Sequence, residues 1–400
     1  MSIGKPLIAL CLLSCGVIAA AQNTVTVAQF EKTLAADRGK SDKDLAQQIG
    51  KLKLTQRLAT PRAAHLQADL PGEKSRIALM ALADASAFLP LPSEDILPDA
   101  APDRPGQRAI LTRAIDFVSS TVPRMPNFFA TRETTRLESI KPEREVALDA
   151  AESAADSSSA EPFRLVDTSL LAVQYREGKE VIENPEIGKK GAGDSGLTNW
   201  GEFGPLLGLV MTDILAGRIG WLHWERGSAG PMAVFRYKIA SSHYIVRYCC
   251  LPEADPKKRS FEAVPPYDGE IAIDPKTGSV LRLVLETELD PKYPIKRDDV
   301  AVEYGPVEIG GVSYICPLKS VSITHAVSPA DTISAGLAPA TRGGSRSIHV
   351  LEPAETTAIN DVAFTNYHRF RAELRIVPES QDESAPETAP PSKPPAPPNP

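Results

Sequence analysis

The chain has 400 residues, 42% of them hydrophobic and 24% charged, with a formal net charge of −7. This is enough for two ordinary domains plus tails, in the composition range of a folded protein rather than a disordered one. The acidic balance leaves no electrostatic footprint for nucleic acid and opposes tight adsorption to anionic lipid headgroups.

Residues 1–21 read as a secretion signal. Lys5 is a minimal basic region, residues 7–18 are apolar apart from Ser14 and Gly16, and Ala19, Ala20 and Ala21 offer small residues for cleavage before Gln22. A second processing route fits the same segment. Leu12-Leu13-Ser14-Cys15-Gly16 has the form of a lipobox, in which Cys15 is lipidated. The expectation is export to the periplasm, the outer membrane or the medium. The apolar run is too short to span a membrane, and no later stretch is long enough. Of five cysteines, Cys249, Cys250 and Cys316 survive simple cleavage, which in an oxidising space predicts one disulfide and one leftover thiol.

Residues 22–100 read as a helical region. Thr26 caps a short helix through Phe30 and Leu34. Ser41 opens a second helix through Leu45 and Ile49, with Asp44 in the capping-box position. Thr60-Pro61 starts a third, with proline where its missing N–H costs nothing. The longest helix spans 73–88. A proline-rich connector covers 90–105, and the spacing of Ile110, Leu111, Ile115 and Val118 predicts a helix over 107–122.

From residue 127 the pattern is β. Strands are predicted at 127–138, 165–175, 219–225, 232–239, 244–250, 270–274, 280–289, 300–304, 307–309, 312–315, 320–324 and 346–351. A last strand over 362–376 alternates apolar and polar side chains, which predicts a sheet with one wet face. Gly310-Gly311 is a two-residue hairpin signal. Residues 141–161, acidic and rich in Ala and Ser, read as a flexible loop. Residues 378–400 read as a disordered Pro-rich tail. One helix interrupts the strands: Phe203, Leu206, Leu207, Val210, Met211, Ile214 and Leu215 form an amphipathic stripe over 201–216.

No motif calls for a cofactor. Gly191, Gly193 and Gly196 spell G-x-G-x-x-G, but a dinucleotide site needs a strand directly before it and a helix directly after. His223 and Glu225 form H-x-E without the cysteine pair of a zinc deaminase. On a regular strand Trp221, His223 and Glu225 share a face, so a metal pair and a structural histidine both fit; no metal site is assigned. No catalytic residues are assigned, because the six histidines are scattered and no nucleophile motif occurs. A hydrolase would reveal itself by a cleft with His and carboxylates clustered around His223 or His243. Strand alternation puts Cys250 and Cys316 on core-facing positions. A bond between them is expected, worth about 4 kcal/mol in the chain-entropy model, with Cys249 as the alternative partner.

The element order from 105 to 377, a helix feeding a long strand and then an antiparallel meander with an inserted helix, resembles the half-barrel fold of periplasmic lipoprotein carriers. Gly269-Glu270-Ile271-Ala272-Ile273-Asp274-Pro275-Lys276-Thr277-Gly278 and Val302-Glu303-Tyr304-Gly305-Pro306-Val307 also resemble segments of exported bacterial proteins. The expected fold is therefore α+β: an N-terminal helical region, then a curved antiparallel half-barrel (105–377) with helices on its concave side. The expected function is non-catalytic binding of a lipid, a lipidated protein or another apolar ligand. Its expected ligand-binding residues are Trp200, Phe203, Leu207, Met211, Trp221 and Trp224. The alternative is a scaffolding protein that uses the helical region and tail to contact an envelope partner.

Overall fold

The computed structural model describes residues 24–142, 144–147, 161–182, 196–197, 202–228, 230–249, 260–328 and 349–370. The expected signal peptide, the tail, most of the 141–161 loop, Trp200 and Cys250 lie outside these residues. Six α-helices are described: α1 Val27–Ala36, α2 Asp42–Ile49, α3 Thr60–Ala68, α4 Glu73–Ala85, α5 Arg104–Asp116 and α6 Pro205–Ala216. None is long and apolar enough to cross a membrane.

The strands of the main sheet are β3 Ile96–Leu97, β4 Phe128–Lys141, β6 Arg164–Arg176, β7 Lys179–Ile182, β9 Arg218–Gly227 and β10 Gly230–Ile239. They continue with β13 Tyr267–Ile273, β14 Val280–Thr287, β15 Ile295–Ile309, β16 Val312–Val327 and β18 Glu355–Arg369. They form an open antiparallel sheet in the order β3-β9-β10-β13-β14-β15-β16-β18-β4-β6-β7. Short strands make three smaller sheets: β1 Thr24–Val25 with β2 Lys53–Leu54, β5 Arg144–Ala147 with β17 His349–Glu352, and β11 Val246–Cys249 between β8 Gly196–Leu197 and β12 Phe261–Ala263. Residues 144–147 thus form a strand where a loop is expected. Strands expected separately at 300–304 and 307–309 are one, as are those at 312–315 and 320–324. Gly310 and Gly311 join them in a hairpin, both at positive φ (64° and 82°).

Side-chain caps fix the starts of several helices. Thr26 and Gln29 close a reciprocal capping box on α1, and Ser41 accepts from the Asp44 amide on α2. The first turn of α4 is capped from outside: Asp42 of α2 accepts from the Lys74 and Ser75 amides at 3.2 and 2.9 Å. This fixes the angle between two helices that are too short to persist alone.

Paired residues on neighbouring strands project to the same side, and successive residues alternate. Val300 and Val302 lie with Phe235, Tyr237, Ile271 and Leu283 under Ile110 and Ala114 of α5 and Leu207, Val210 and Met211 of α6. Ala301 pairs with Val321, so both face the opposite side. There Val321, Ile323, Leu137 and Ile359 pack against Ala81, Ile77 and Met80 of α4. Helices therefore cover both faces of the sheet, where the expectation put them on one. The central part of β18 is buried on both sides, Ile359 and Asp361 toward α4 and Val362 away from it. Its expected wet face survives only near the end, at Thr365 and Arg369. The connector also joins in: its residues Ile96 and Leu97 pair with Glu225 and Trp224, and the helical region and the sheet belong to one compact unit.

Candidate functional site

A cavity of about 160 Å³ lies between α3, α4 and the sheet face formed by β14, β15, β16 and β18. The loop ahead of α3 forms one wall and is pinned at two points, the second through a serine fixed to the end of α4. The Arg57 amide donates to the Pro90 carbonyl at 2.9 Å. The Leu58 amide donates to Ser86 Oγ at 3.0 Å, and Ser86 Oγ donates to the Ala83 carbonyl at 2.7 Å. Small side chains on the two helices, Ala63 and Ala83 among them, leave the space open, while Leu58, Leu79, Met80 and Val321 make the walls apolar.

The floor is ionic. Lys319 Nζ sits 2.8 Å from Asp84 Oδ1 and 2.8 Å from Asp361 Oδ2, tying α4 to β16 and β18. Asp84 is 2% exposed. Its burial and the neighbouring Asp361 charge push its carboxyl well above the usual range, against the pull of Lys319. Among the described residues no donor reaches Asp84 Oδ2. Thr60 donates to Glu303 Oε1 at 2.8 Å. Arg57 Nη2 meets Glu225 Oε1 at 2.9 Å, and Arg282 Nη2 meets Glu225 Oε2 at 2.8 Å and Glu270 Oε2 at 3.4 Å. Burial works to raise Glu225, but His223 and the two guanidinium groups outweigh it and hold the carboxyl far below its ordinary range. Arg57, Arg282 and Lys319 face Asp84, Asp361, Glu225, Glu270 and Glu303 in this network. With every group ionised, two negative charges are in excess. Buried charges of this kind persist only when paired.

The expected ligand-binding residues that are described do not line this cavity. Leu207 and Met211 are 3% and 7% exposed and fill the interface of α6 with the sheet. Phe203 joins a different cluster, 4.9 Å from the Phe364 ring and 5.6 Å from the Phe128 ring. Trp221 and Trp224 pack edge-on against each other at 4.9 Å, beside the α6 cluster, and Trp224 Nε1 donates to the Ala100 carbonyl at 3.0 Å, holding the connector. Their shared side comes from a bulge: Phe235 pairs with Trp221 while Val234 pairs with His223, so Leu222 is skipped. Trp221 is thereby parted from His223 and Glu225, which turn toward Arg57. The face-sharing expected of a regular strand is corrected here. Cys316 is a fully buried free thiol, pushed up to about 12 by burial.

Around His243 the structure does pair a histidine with a carboxylate. Asp213 of α6 takes hydrogen bonds from the His243 ring, the His243 amide at 3.0 Å and the Tyr267 hydroxyl at 2.8 Å. Burial opposes ionisation of Asp213, yet these bonds together hold its pKa below the usual value. The His243 side chain is 75% exposed, at the surface and away from the cavity. No group of three or more metal-ligating side chains occurs among the described residues.

Asp84, Lys319, Asp361 and the Arg57–Glu225–Arg282 group escape the sequence reading. A signal existed: Arg282 interrupts the apolar run of β14, and Asp84 sits in an Ala- and Leu-rich helix. A charge inside an apolar run implies a buried partner, but the run does not say which. No protein-family model matches the chain, and no curated protein or solved structure matches it either.

Proposed function

We propose that this is an exported protein of a Gram-negative-type envelope, built on a curved half-barrel sheet, that acts by binding rather than catalysis, and that the cleft between α3, α4 and the sheet is its binding site. The observation that carries this reading is a cavity with apolar walls ending on a buried ion cluster. Apolar walls with a few convergent polar groups are the usual form of a ligand site. Size narrows the occupant. About 160 Å³ falls below the roughly 300–1,000 Å³ of pockets for drug-sized ligands and is close to the roughly 150 Å³ cavity that admits benzene. The cleft suits a compact amphipathic group, the size of one side chain, better than a whole acyl chain. This favours contact with an envelope partner or a small molecule over lipid carriage, and it moves the site from α6 to the opposite side of the sheet.

Methionine methyl NMR tests this directly, because Met80 lines the cleft and Met211 lies beneath α6. Compact amphipathic fragments are expected to shift the Met80 methyl and leave Met211 unmoved. Shifts at Met211 alone would return the site to α6.

A further inference from the structure

The charges around the cleft select among compact groups. Asp84 and Asp361 share a single cation partner, Lys319, among the described residues, and Glu303 is held by the neutral Thr60 hydroxyl. Arg57 and Arg282 pair with Glu225 and Glu270, and Arg282 also attracts Glu303, its cross-strand neighbour, which leaves Asp84 and Asp361 with one ammonium between them. The end of the cavity beside Asp84 is thus short of positive charge, and Asp84 Oδ2, in a side chain 2% exposed, has no donor among the described residues. An anion placed here would meet three carboxylates. A neutral group would leave Asp84 dependent on its own proton for neutrality, because ionised excess charge in a poorly solvated space is costly.

We infer that the occupant of the cleft carries a primary ammonium group, seated against Asp84, Asp361 and Glu303 with its alkyl chain along Leu79, Met80 and Val321. This rests on the cleft being the binding site. Without an occupant, the surroundings of Asp84, namely Asp361 on β18, Lys319 on β16, Glu303 on β15, Arg282 on β14 and Arg57 ahead of α3, favour its protonated form, since burial and Asp361 raise it. An incoming ammonium replaces that proton. Asp84 loses H⁺ to solvent, the ligand keeps its charge, and no other bond forms or breaks.

The test compares n-butylammonium with 1-butanol, reading the Met80 methyl by NMR and proton release by calorimetry in two buffers of different ionisation enthalpy. The expected result is binding of the ammonium at least about tenfold tighter than the alcohol, with about one proton released below the pKa of Asp84 and affinity rising about tenfold per pH unit there. Asp84→Asn should abolish the proton release; if that variant does not fold, proton counting on the unsubstituted chain decides alone. Nα-acetyl-lysine N-methylamide, run beside butylammonium, separates the two sources of the group: tighter binding of the lysine derivative points to a partner's side chain, and the reverse to a free amine. Equal binding of butanol and butylammonium without proton release overturns the ammonium inference and leaves the cleft standing. If neither moves Met80, the cleft itself is wrong.

Discussion

Arg57 Nη2 lies 2.9 Å from Glu225 Oε1, and both side chains are less than a tenth exposed although 168 residues separate them in the chain. Through this pair the loop leading into α3 is anchored to β9, and the helical region is held at the height that leaves the cleft open.

Glu225→Gln should therefore be costly. It leaves Arg57 and Arg282 buried with the looser Glu270 contacts, at 4.0 and 3.4 Å, in its place, a loss of about 3–5 kcal/mol. Because Glu225 is depressed in the folded state, its stabilisation is present above its unfolded pKa and disappears as pH falls through the folded one. Urea denaturation should show a lower midpoint for the variant near neutral pH, and the gap should shrink on acidification.

Asp298 should show the opposite sign. Burial and the adjacent Asp299 push it up to about 7 from 3.8, with only the Tyr244 hydroxyl pulling it down. The folded state then binds more protons, so stability is complete below the unfolded value and falls as pH rises through about 7. Every tenfold difference in proton affinity between the folded and unfolded chain is worth about 1.4 kcal/mol. Asp298→Asn, which cannot ionise, should flatten this decline in melts run at roughly pH 5 and 8. An unchanged slope would assign the decline to other groups.

Leu207→Ala separates a core helix from a moving cover. As a buried contact of α6 with the sheet, Leu207 should cost about 2–5 kcal/mol on truncation. A loss below about 0.5 kcal/mol would mean that α6 does not depend on this packing.

Gly269 pairs with Tyr237, whose hydroxyl crosses above it to donate to the Val284 carbonyl. A Cβ at position 269 would stand 1.9 Å from that carbonyl oxygen and 2.9 Å from the Tyr237 hydroxyl. Gly269→Ala should cost at least the roughly 1–3 kcal/mol of an overpacked core, read as a lower thermal midpoint.

Cys316, buried with Phe128, Tyr175 and Phe364 and held as the thiol, should resist alkylation in the native protein and react once denatured. Peptide mapping after iodoacetamide treatment reports this position separately from Cys249 and Cys250. Rapid native modification would contradict the burial.

The order of helices and strands was legible in the sequence because it depends on local periodicity and caps. Thr26 and Ser41 each cap the helix that follows, and the stripe from Leu206 to Ile214 forms α6. Even the burial of Leu207 and Met211 follows from that stripe. What the stripe covers does not: α6 packs on a buried apolar cluster shared by α5 and the sheet. Tertiary structure alone decided the rest. The bulge at Leu222 reverses side-chain alternation within β9, and no period of two predicts the residue at which it slips. The second helical layer on the far face of the sheet, and the meeting of Asp84 with Lys319 and Asp361 there, depend on contacts across more than 200 positions. Periodicity tells each side chain whether to be buried. Which charge it is buried against is settled only when the sheet and the helices close on each other.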